Sequence, residues 1–284
     1  MAYQNNSPRG SHAISPHRDT FVLRFRFVGF ALIALAAIAA VFAFRACNAA
    51  VEPQEDAQAE VVSYDWSCLK TEGDRYSYVV DGQVKSKLGI DVSEFQGSID
   101  WDAVAQDGIS FAYVRVGNRG AETGTLYADD LFEDNLSGAH AAGLPCGVYY
   151  FSQAVSEDEA REEAQFVLDA LGGRSLEYPI AYDCEEVDGL DSRIEGLSVD
   201  QMTANAKAFC EVIEAAGYKA IIYGNANDFA RYNVQELSAY PFWYASYNEL
   251  PYGATSFMLW QYTDGASVSG VPTVCDMSIQ IELS

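Results

Sequence analysis

Histidine is scarce in this chain, with only His12, His17 and His140 among 284 residues. Two of them precede a long apolar run, and the third lies in a predicted helix. The low count argues against a histidine-based metal site or a catalytic triad, because both depend on imidazole. The six cysteines offer no substitute, since none has CxxC or Cys–His zinc spacing. We therefore expect no bound metal and no cofactor.

Basic residues are also few: 17 Lys and Arg stand against 41 Asp and Glu, which gives a net charge of −24. Such a chain repels phosphates, so nucleic acid is excluded as a partner. No glycine-rich loop follows the first predicted barrel strand, which argues against dinucleotide binding. We interpret the excess of acidic residues as a feature that keeps the protein soluble outside a cell.

An uncharged apolar run spans residues 27–44, eighteen residues at the short end of a membrane-spanning helix. Arg24 and Arg26 precede it and Arg45 follows it. Because positive charge stays in the cytoplasm, we expect the N-terminus inside and the bulk of the chain outside. A cleaved signal peptide is the alternative, but the charge of Arg45 and the length of the run favour an uncleaved anchor.

We divide the chain into a cytoplasmic tail 1–26, a transmembrane helix 27–45, an acidic linker 46–63, a hairpin lead-in 64–87 and a catalytic domain 88–284. In the last part, strands are predicted at 88–92, 111–116, 146–151, 179–183, 219–223, 242–245 and 257–261. Helices are predicted between them at 100–106, 129–142, 156–171 and 198–216. This α/β alternation predicts a mostly parallel sheet, open or closed into a barrel, with functional residues at the C-terminal strand ends.

Asp183 and Glu185 follow an apolar run, 178–182, that predicts a buried strand. Side chains alternate along a strand, so both carboxyls share one face and Cys184 points away. Two close carboxylates repel each other, so one is pushed toward its protonated form while the other stays charged. Acid-catalysed cleavage of a glycosidic bond requires such a pair. The alternative is a strand end whose acids merely face water.

Further motifs occur in order along residues 88–280: Gly89-Ile90-Asp91-Val92-Ser93, Ile99-Asp100-Trp101, Gly147-Val148-Tyr149-Tyr150-Phe151, Asp183-x-Glu185, Trp243-Tyr244-Ala245 with Tyr247, and Leu259-Trp260-Gln261-Tyr262 followed by Asp276. Their order and spacing resemble those of the glycoside hydrolase family 25 lysozymes, the N-acetylmuramidases. The resemblance implies an irregular TIM-like (β/α) barrel. It also implies cleavage of the β-1,4 bond between N-acetylmuramic acid and N-acetylglucosamine in peptidoglycan.

By position, the resemblance implies Glu185 as the general acid and Asp183 as the residue that orients the 2-acetamido group or stabilises the transition state. Asp91 would tune the site. The residues implied to bind substrate are Tyr149, Tyr247, Trp243, Trp260, Gln261 and Asp276. Retaining, inverting and substrate-assisted mechanisms all remain open, because they differ in carboxylate distances and room for water.

The chain departs from the family pattern at three places. Tyr150 stands where many members have His, 115–120 where many carry Lys-Ala-x-Glu-Gly, and Ser278 where Asn is usual. The central carboxylates are intact, so these departures bear on substrate preference. Two other hypotheses are a non-catalytic peptidoglycan-binding module of the same fold and a glycosidase that acts on chitin-like chains.

Overall fold

The computed structural model describes residues 64–187, 189–247, 250–251 and 256–282. The predicted tail 1–26, transmembrane helix 27–45 and linker 46–63 lie outside these residues and stay predictions. Within the described ranges, no helix has both the length and the apolar character that crossing a bilayer requires.

A small antiparallel sheet comes first, built from β1 (Leu69–Glu72), β2 (Arg75–Val80) and β3 (Gln83–Val84). The hairpin between β2 and β3 turns at Asp81 and Gly82, whose φ angles are 50° and 76°. Positive φ at both turn positions is typical of a tight hairpin turn, for which Asp-Gly is a preferred pair. The predicted hairpin is confirmed. β1 was not predicted because its mostly exposed side chains show no apolar alternation.

Eight strands of the described chain close into a barrel: β4 (Ser86–Val92), β5 (Phe111–Arg119), β7 (Cys146–Phe151), β8 (Ile180–Asp183), β9 (Ala220–Asn225), β10 (Phe242–Ala245), β11 (Leu259–Ala266) and β12 (Cys275–Ile281). They follow the order β4-β12-β11-β10-β9-β8-β7-β5, and β4 pairs with β5 to close the ring. Neighbours are parallel except at β12, which runs antiparallel to both β11 and β4. β6 (Leu126–Ala128) extends the sheet beside β5. The predicted α/β barrel is thus confirmed, with one reversed strand.

The helices are α1 (Trp101–Gln106), α2 (Phe132–Ala141), α3 (Glu157–Leu171), α4 (Val199–Ala215) and α5 (Ala226–Phe229). Serine N-caps begin α3 and α4: Ser156 accepts from the N–H of Glu159, and Ser198 accepts from the N–H of Gln201. α3 ends at Gly172, which adopts the left-handed conformation that favours glycine at a helix C-terminus. The four predicted helices therefore begin and end within a few residues of their expected bounds.

Alternation along the strands separates an inner from an outer set of side chains. The inner set fills the barrel and comprises Phe111, Tyr113, Ala181, Ile221, Tyr223, Trp243, Ala245 and Leu259. Trp243 lies at its centre, with ring centroids 4.4 Å from Tyr113 and 5.0 Å from Tyr223. The outer set packs against the helices in a second, larger core. The barrel interior is therefore a packed aromatic layer on which a site at the strand ends rests.

The ring of Phe111 packs directly against Gly89 inside the barrel. A Cβ added at Gly89 would overlap that ring. We expect Gly89→Ala to lower the free energy of unfolding by about 1–3 kcal/mol through overpacking. The matched control is Gly265→Ala on β11, where the nearest atom, Thr263 Oγ1, is 4.0 Å away. Urea unfolding of both variants tests this. A Gly89→Ala midpoint as high as that of the control would contradict a filled interior.

Candidate active site

Four carboxylates meet at one edge of the barrel, and we call them the rim carboxylates: Asp91, Asp183, Glu185 and Asp276. Asp91 lies near the end of β4, Asp183 ends β8, and Glu185 follows two residues later. Asp276 is the second residue of β12 and pairs with Asp91 in the ladder, because β12 runs against its neighbours. Asp91 interacts electrostatically with both Asp276 and Glu185, and Asp183 is hydrogen-bonded to Glu185. The structure thus brings the three predicted catalytic residues and Asp276 together.

Gln261 on β11 links two rim carboxylates to two tyrosines. Its Nε2 donates to Asp91 Oδ2 at 3.0 Å and to Asp276 Oδ2 at 3.3 Å. Its Oε1 accepts from the hydroxyls of Tyr223 and Tyr247, each at 2.7 Å. Because the carboxylate oxygens need a donor, the amide nitrogen faces them and the amide oxygen faces the hydroxyls. Gln261 therefore holds Asp91 and Asp276 in place, and its contact with substrate stays a prediction.

Burial raises the pKa of each rim carboxylate. With the charge of Asp276, it holds the pKa of Asp91 well above its ordinary value. Burial and the charge of Glu185 do the same to the pKa of Asp183. Burial raises the pKa of Asp276 to about 6, although its hydrogen bond with Asp91 favours the charged form. Within each pair, Asp91 with Asp276 and Asp183 with Glu185, the ionisation of one carboxyl affects that of the other, so protonation is a property of the pair.

Glu185 is half-buried, whereas Asp183 is buried. Burial raises the pKa of Glu185 to about 7, the charge of Asp228 adds to this, and the hydrogen bond with Asp183 opposes it. A carboxyl with a pKa near 7 is well matched to general acid catalysis at neutral pH.

Asp228 is an acidic residue of the site that the sequence did not reveal. It lies on the one-turn helix α5, directly after β9, and its carboxylate accepts from the N–H of Asn225 at 3.0 Å. Its negative charge acts on both Asp183 and Glu185. The spacing of Asn225 and Asp228 matches a capping box after a strand, which could have identified the turn but not its proximity to Glu185.

Two predicted sugar-binding tyrosines lie beside the rim carboxylates. Tyr149 is placed near Asp91 and Asp183, whose charges help to raise the pKa of its hydroxyl after the larger effect of burial. Tyr247 is 38% exposed and interacts with Asp276, Asp91 and Glu185. Both rings therefore occupy positions from which a sugar in contact with Glu185 is within reach, and their binding role stays a prediction.

The structure does not bring the two predicted sugar-binding tryptophans to an open surface. Trp243 is 2% exposed inside the barrel, and its indole N–H donates to Ser278 Oγ at 2.9 Å. Trp260 is 1% exposed on the outer face of β11, edge-on to Trp66 of the lead-in. Alternation explains the second case, because Gln261 faces the rim carboxylates and its neighbour must point away. Neither placement supports direct stacking on a sugar ring, so both predictions need this correction.

The three departures from the family pattern belong to the scaffold. Ser278 accepts the indole N–H of Trp243, as described above. Arg115 donates to Asp129 Oδ2 at 2.8 Å and to Glu94 Oε1 at 3.1 Å. Tyr150 is buried on the outer face of β7 against Phe166, with ring centroids 5.7 Å apart. These contacts account for the substituted residues as packing and ion-pair partners around the barrel.

Comparison with known proteins agrees with the geometry. The family model of the glycosyl hydrolases family 25 matches residues 90–271. The autolytic lysozyme of Clostridium acetobutylicum is 28% identical over 190 residues, which cover 66% of this chain and 54% of that protein. Lysozyme M1 of Streptomyces globisporus is 32% identical over 200 residues, or 64% of each chain. This chain thus spans about half the length of the clostridial relative.

A solved structure gives the same result. The crystal structure of the bacterial lysozyme from Streptomyces coelicolor matches with a TM-score of 0.57 and 29% sequence identity. The match covers 70% of this chain and 93% of that one. Since the family model matches more than half of the chain and the barrel carries the expected carboxylates, the protein belongs to glycosyl hydrolase family 25.

Proposed function

We propose that the protein is a muramidase that hydrolyses the β-1,4 bond between N-acetylmuramic acid and N-acetylglucosamine in peptidoglycan. Family membership and the lysozyme names of its relatives support this activity. The observation that carries the proposal is the state of Glu185, a half-buried carboxyl with a pKa of about 7 among other carboxylates. It is an acid that still holds a proton near neutral pH and is not sealed from substrate.

In the proposed reaction, Glu185 donates its proton to the bridging oxygen as the bond from that oxygen to the anomeric carbon breaks. The bridging oxygen is a poor leaving group until it is protonated. The ring that remains carries developing positive charge, which the surrounding carboxylates stabilise. Water then supplies the hydroxyl at the anomeric carbon and the proton that restores Glu185.

Asp183 is proposed to orient the 2-acetamido group of the muramic acid. Its Oδ1 is buried and makes no hydrogen bond with the described residues. A buried acceptor without a donor is costly, and an acetamido N–H is a donor of suitable chemistry. Asp91 acts one step further away, since it is hydrogen-bonded to Gln261 and tunes the charge that Glu185 experiences.

We also propose that residues 27–45 anchor the enzyme in the cell membrane, with the catalytic domain outside the cytoplasm. The apolar run and the arginines before it support this topology. The full chain is expected to stay in the membrane fraction after carbonate washing, and removal of residues 1–45 is expected to release active enzyme. A full chain that carbonate washing removes from the membrane would contradict anchoring. A protein that the cell itself has cleaved after residue 45 would contradict an uncleaved anchor.

Glu185→Gln removes the proposed acid with little change in shape. We expect release of reducing ends from peptidoglycan to fall by at least about 100-fold, since a general acid contributes 10²-fold or more. Glu186→Gln is the matched control, because Glu186 is the next residue but pairs with Arg231 at 3.0 Å instead. Mass spectrometry of the products is expected to find muramic acid at the new reducing end. Glucosamine there would indicate a different glycosidase, and binding of peptidoglycan without cleavage by the wild type would indicate a binding module.

Activity is expected to depend on pH through Glu185. The acid must be protonated, so kcat/KM should decline as pH rises through about 7, the pKa of Glu185. Asp228→Asn removes a negative charge that raises this pKa, so the basic limb of the profile should move to lower pH. Asp158→Asn, at a side chain that is 100% exposed on α3, removes an equal charge and should leave the limb in place. If kcat/KM declines at the same pH in Asp228→Asn and Asp158→Asn, the charge of Asp228 does not influence the pKa of Glu185.

A further inference from the structure

The ladder between β7 and β8 ends just before Glu185. Phe151 and Asp183 form its last residue pair, and the N–H of Ser152 donates to the carbonyl oxygen of Asp183 at 2.6 Å. In a continuing parallel ladder, the N–H of Ala154 would donate next to the carbonyl of Glu185. That N–H instead donates to Ser152 Oγ at 3.3 Å. The strands therefore separate at the residue that the proposed mechanism uses as its acid.

The side chain of Gln153 replaces the missing ladder bond. Its Nε2 donates to the carbonyl oxygen of Glu185 at 2.6 Å. Consecutive residues of one segment, Ser152 and Gln153, thus hold the carbonyls of Asp183 and Glu185. The backbone on each side of Cys184 is tied to the end of β7 even though the sheet has ended.

Every polar group of Gln153 has a partner. Its Oε1 accepts from Ser192 Oγ at 2.6 Å, which turns the amide nitrogen toward Glu185. Its N–H donates to Glu163 Oε1 at 3.3 Å, and its carbonyl accepts from Arg193 Nη1 at 3.2 Å. The residue is fully buried. A buried amide whose nitrogen and oxygen each have a fixed partner has one stable orientation.

A buried ion pair supports this segment from the side of α3. Glu163 is fully buried, and its carboxylate accepts from Arg119 Nε at 2.7 Å and from Ser152 Oγ at 2.6 Å. The same Glu163 Oε1 that accepts from Arg119 also accepts from the N–H of Gln153. Gln153, which binds the carbonyl oxygen of Glu185, is thereby connected to β5 and α3, two rigid elements of the barrel.

We propose that Gln153 is a positioning residue, which holds the backbone of Glu185 so that its carboxyl points at the glycosidic oxygen. The proposal rests on the role of Glu185 given above. A misplacement of about 1 Å can cost roughly 10²-fold in rate, so a lost carbonyl anchor should lower turnover more than binding. Gln153 does not touch the reacting atoms in this proposal; it acts through Glu185.

Gln153→Leu keeps the volume close to that of glutamine and removes both side-chain hydrogen bonds. We expect kcat on peptidoglycan to fall by roughly 10–100-fold with KM within about twofold. A less constrained Glu185 is better solvated, so the basic limb of the pH profile should also move to lower pH. The matched control is Gln280→Leu near the far end of β12, where the side-chain amide accepts from the Tyr178 hydroxyl at 2.6 Å, away from Asp276 and the other rim carboxylates. It should lose stability while keeping kcat and the pH profile.

Ser192 provides a milder test that does not depend on the folding of Gln153→Leu. Ser192→Ala removes the hydroxyl that orients the amide and should lower kcat, whereas Ser192→Thr retains the hydroxyl and should preserve it. Glu185→Gln separates the two proposals. If that variant stays active, the acid assignment fails; if it is inactive while Gln153→Leu or Ser192→Ala keeps the wild-type kcat and basic limb, the positioning role fails alone.

Discussion

Electrostatic repulsion among buried carboxylates is the constraint on which the rest of this structure depends. Asp91, Asp183, Glu185 and Asp276 lie at one edge of the barrel, where a low dielectric strengthens every charge–charge interaction. The arrangement is tolerated because protons are retained and because the amide of Gln261 donates to two of the four groups. The same burial that makes the cluster unfavourable raises the pKa of Glu185 to about 7 and gives it the protonation state that acid catalysis needs.

The scaffold holds these groups close despite their repulsion. Parallel strands bring Asp91 and Asp183 to the same edge, and the reversal of β12 brings Asp276 there from the opposite chain direction. Trp243 and its tyrosine neighbours fill the barrel beneath and leave no room for the acids to relax inward. Beyond the end of β8, a side chain instead of a neighbouring strand holds the backbone, since Gln153 donates to the carbonyl of Glu185. Stability and charge tuning thus come from the same contacts.

Much of the fold was predictable because it follows from local patterns. The apolar runs at 146–151 and 242–245 match β7 and β10, and the serine caps of α3 and α4 were visible as spacing. β12 was missed because its pairing with β4 and β11 is long-range and its apolar side chains give no distinctive run. The pair of Asp183 and Glu185 was likewise visible from a strand followed by two acids.

Other features of the site depend on packing that no local pattern encodes. Trp260 was expected at the substrate but packs against Trp66 and Tyr76 of the lead-in, because its neighbour Gln261 points to the inner face. Asp228 and Gln153 lie far from Glu185 in the chain, and only the closed barrel brings them next to it. For the same reason, the effect of Asp228 on the pKa of Glu185, which adds to the larger effect of burial, was not predictable from the sequence.

The most direct test of this account is the ionisation of Glu185 itself. Protein labelled with ¹³C at glutamate side-chain carboxyls, compared with Glu185→Gln to identify the signal, can be titrated by NMR. The account predicts that the Glu185 carboxyl titrates with a pKa of about 7. A pKa near its ordinary value of 4.5 would mean that the rim carboxylates do not keep this acid protonated, and the central claim would be contradicted.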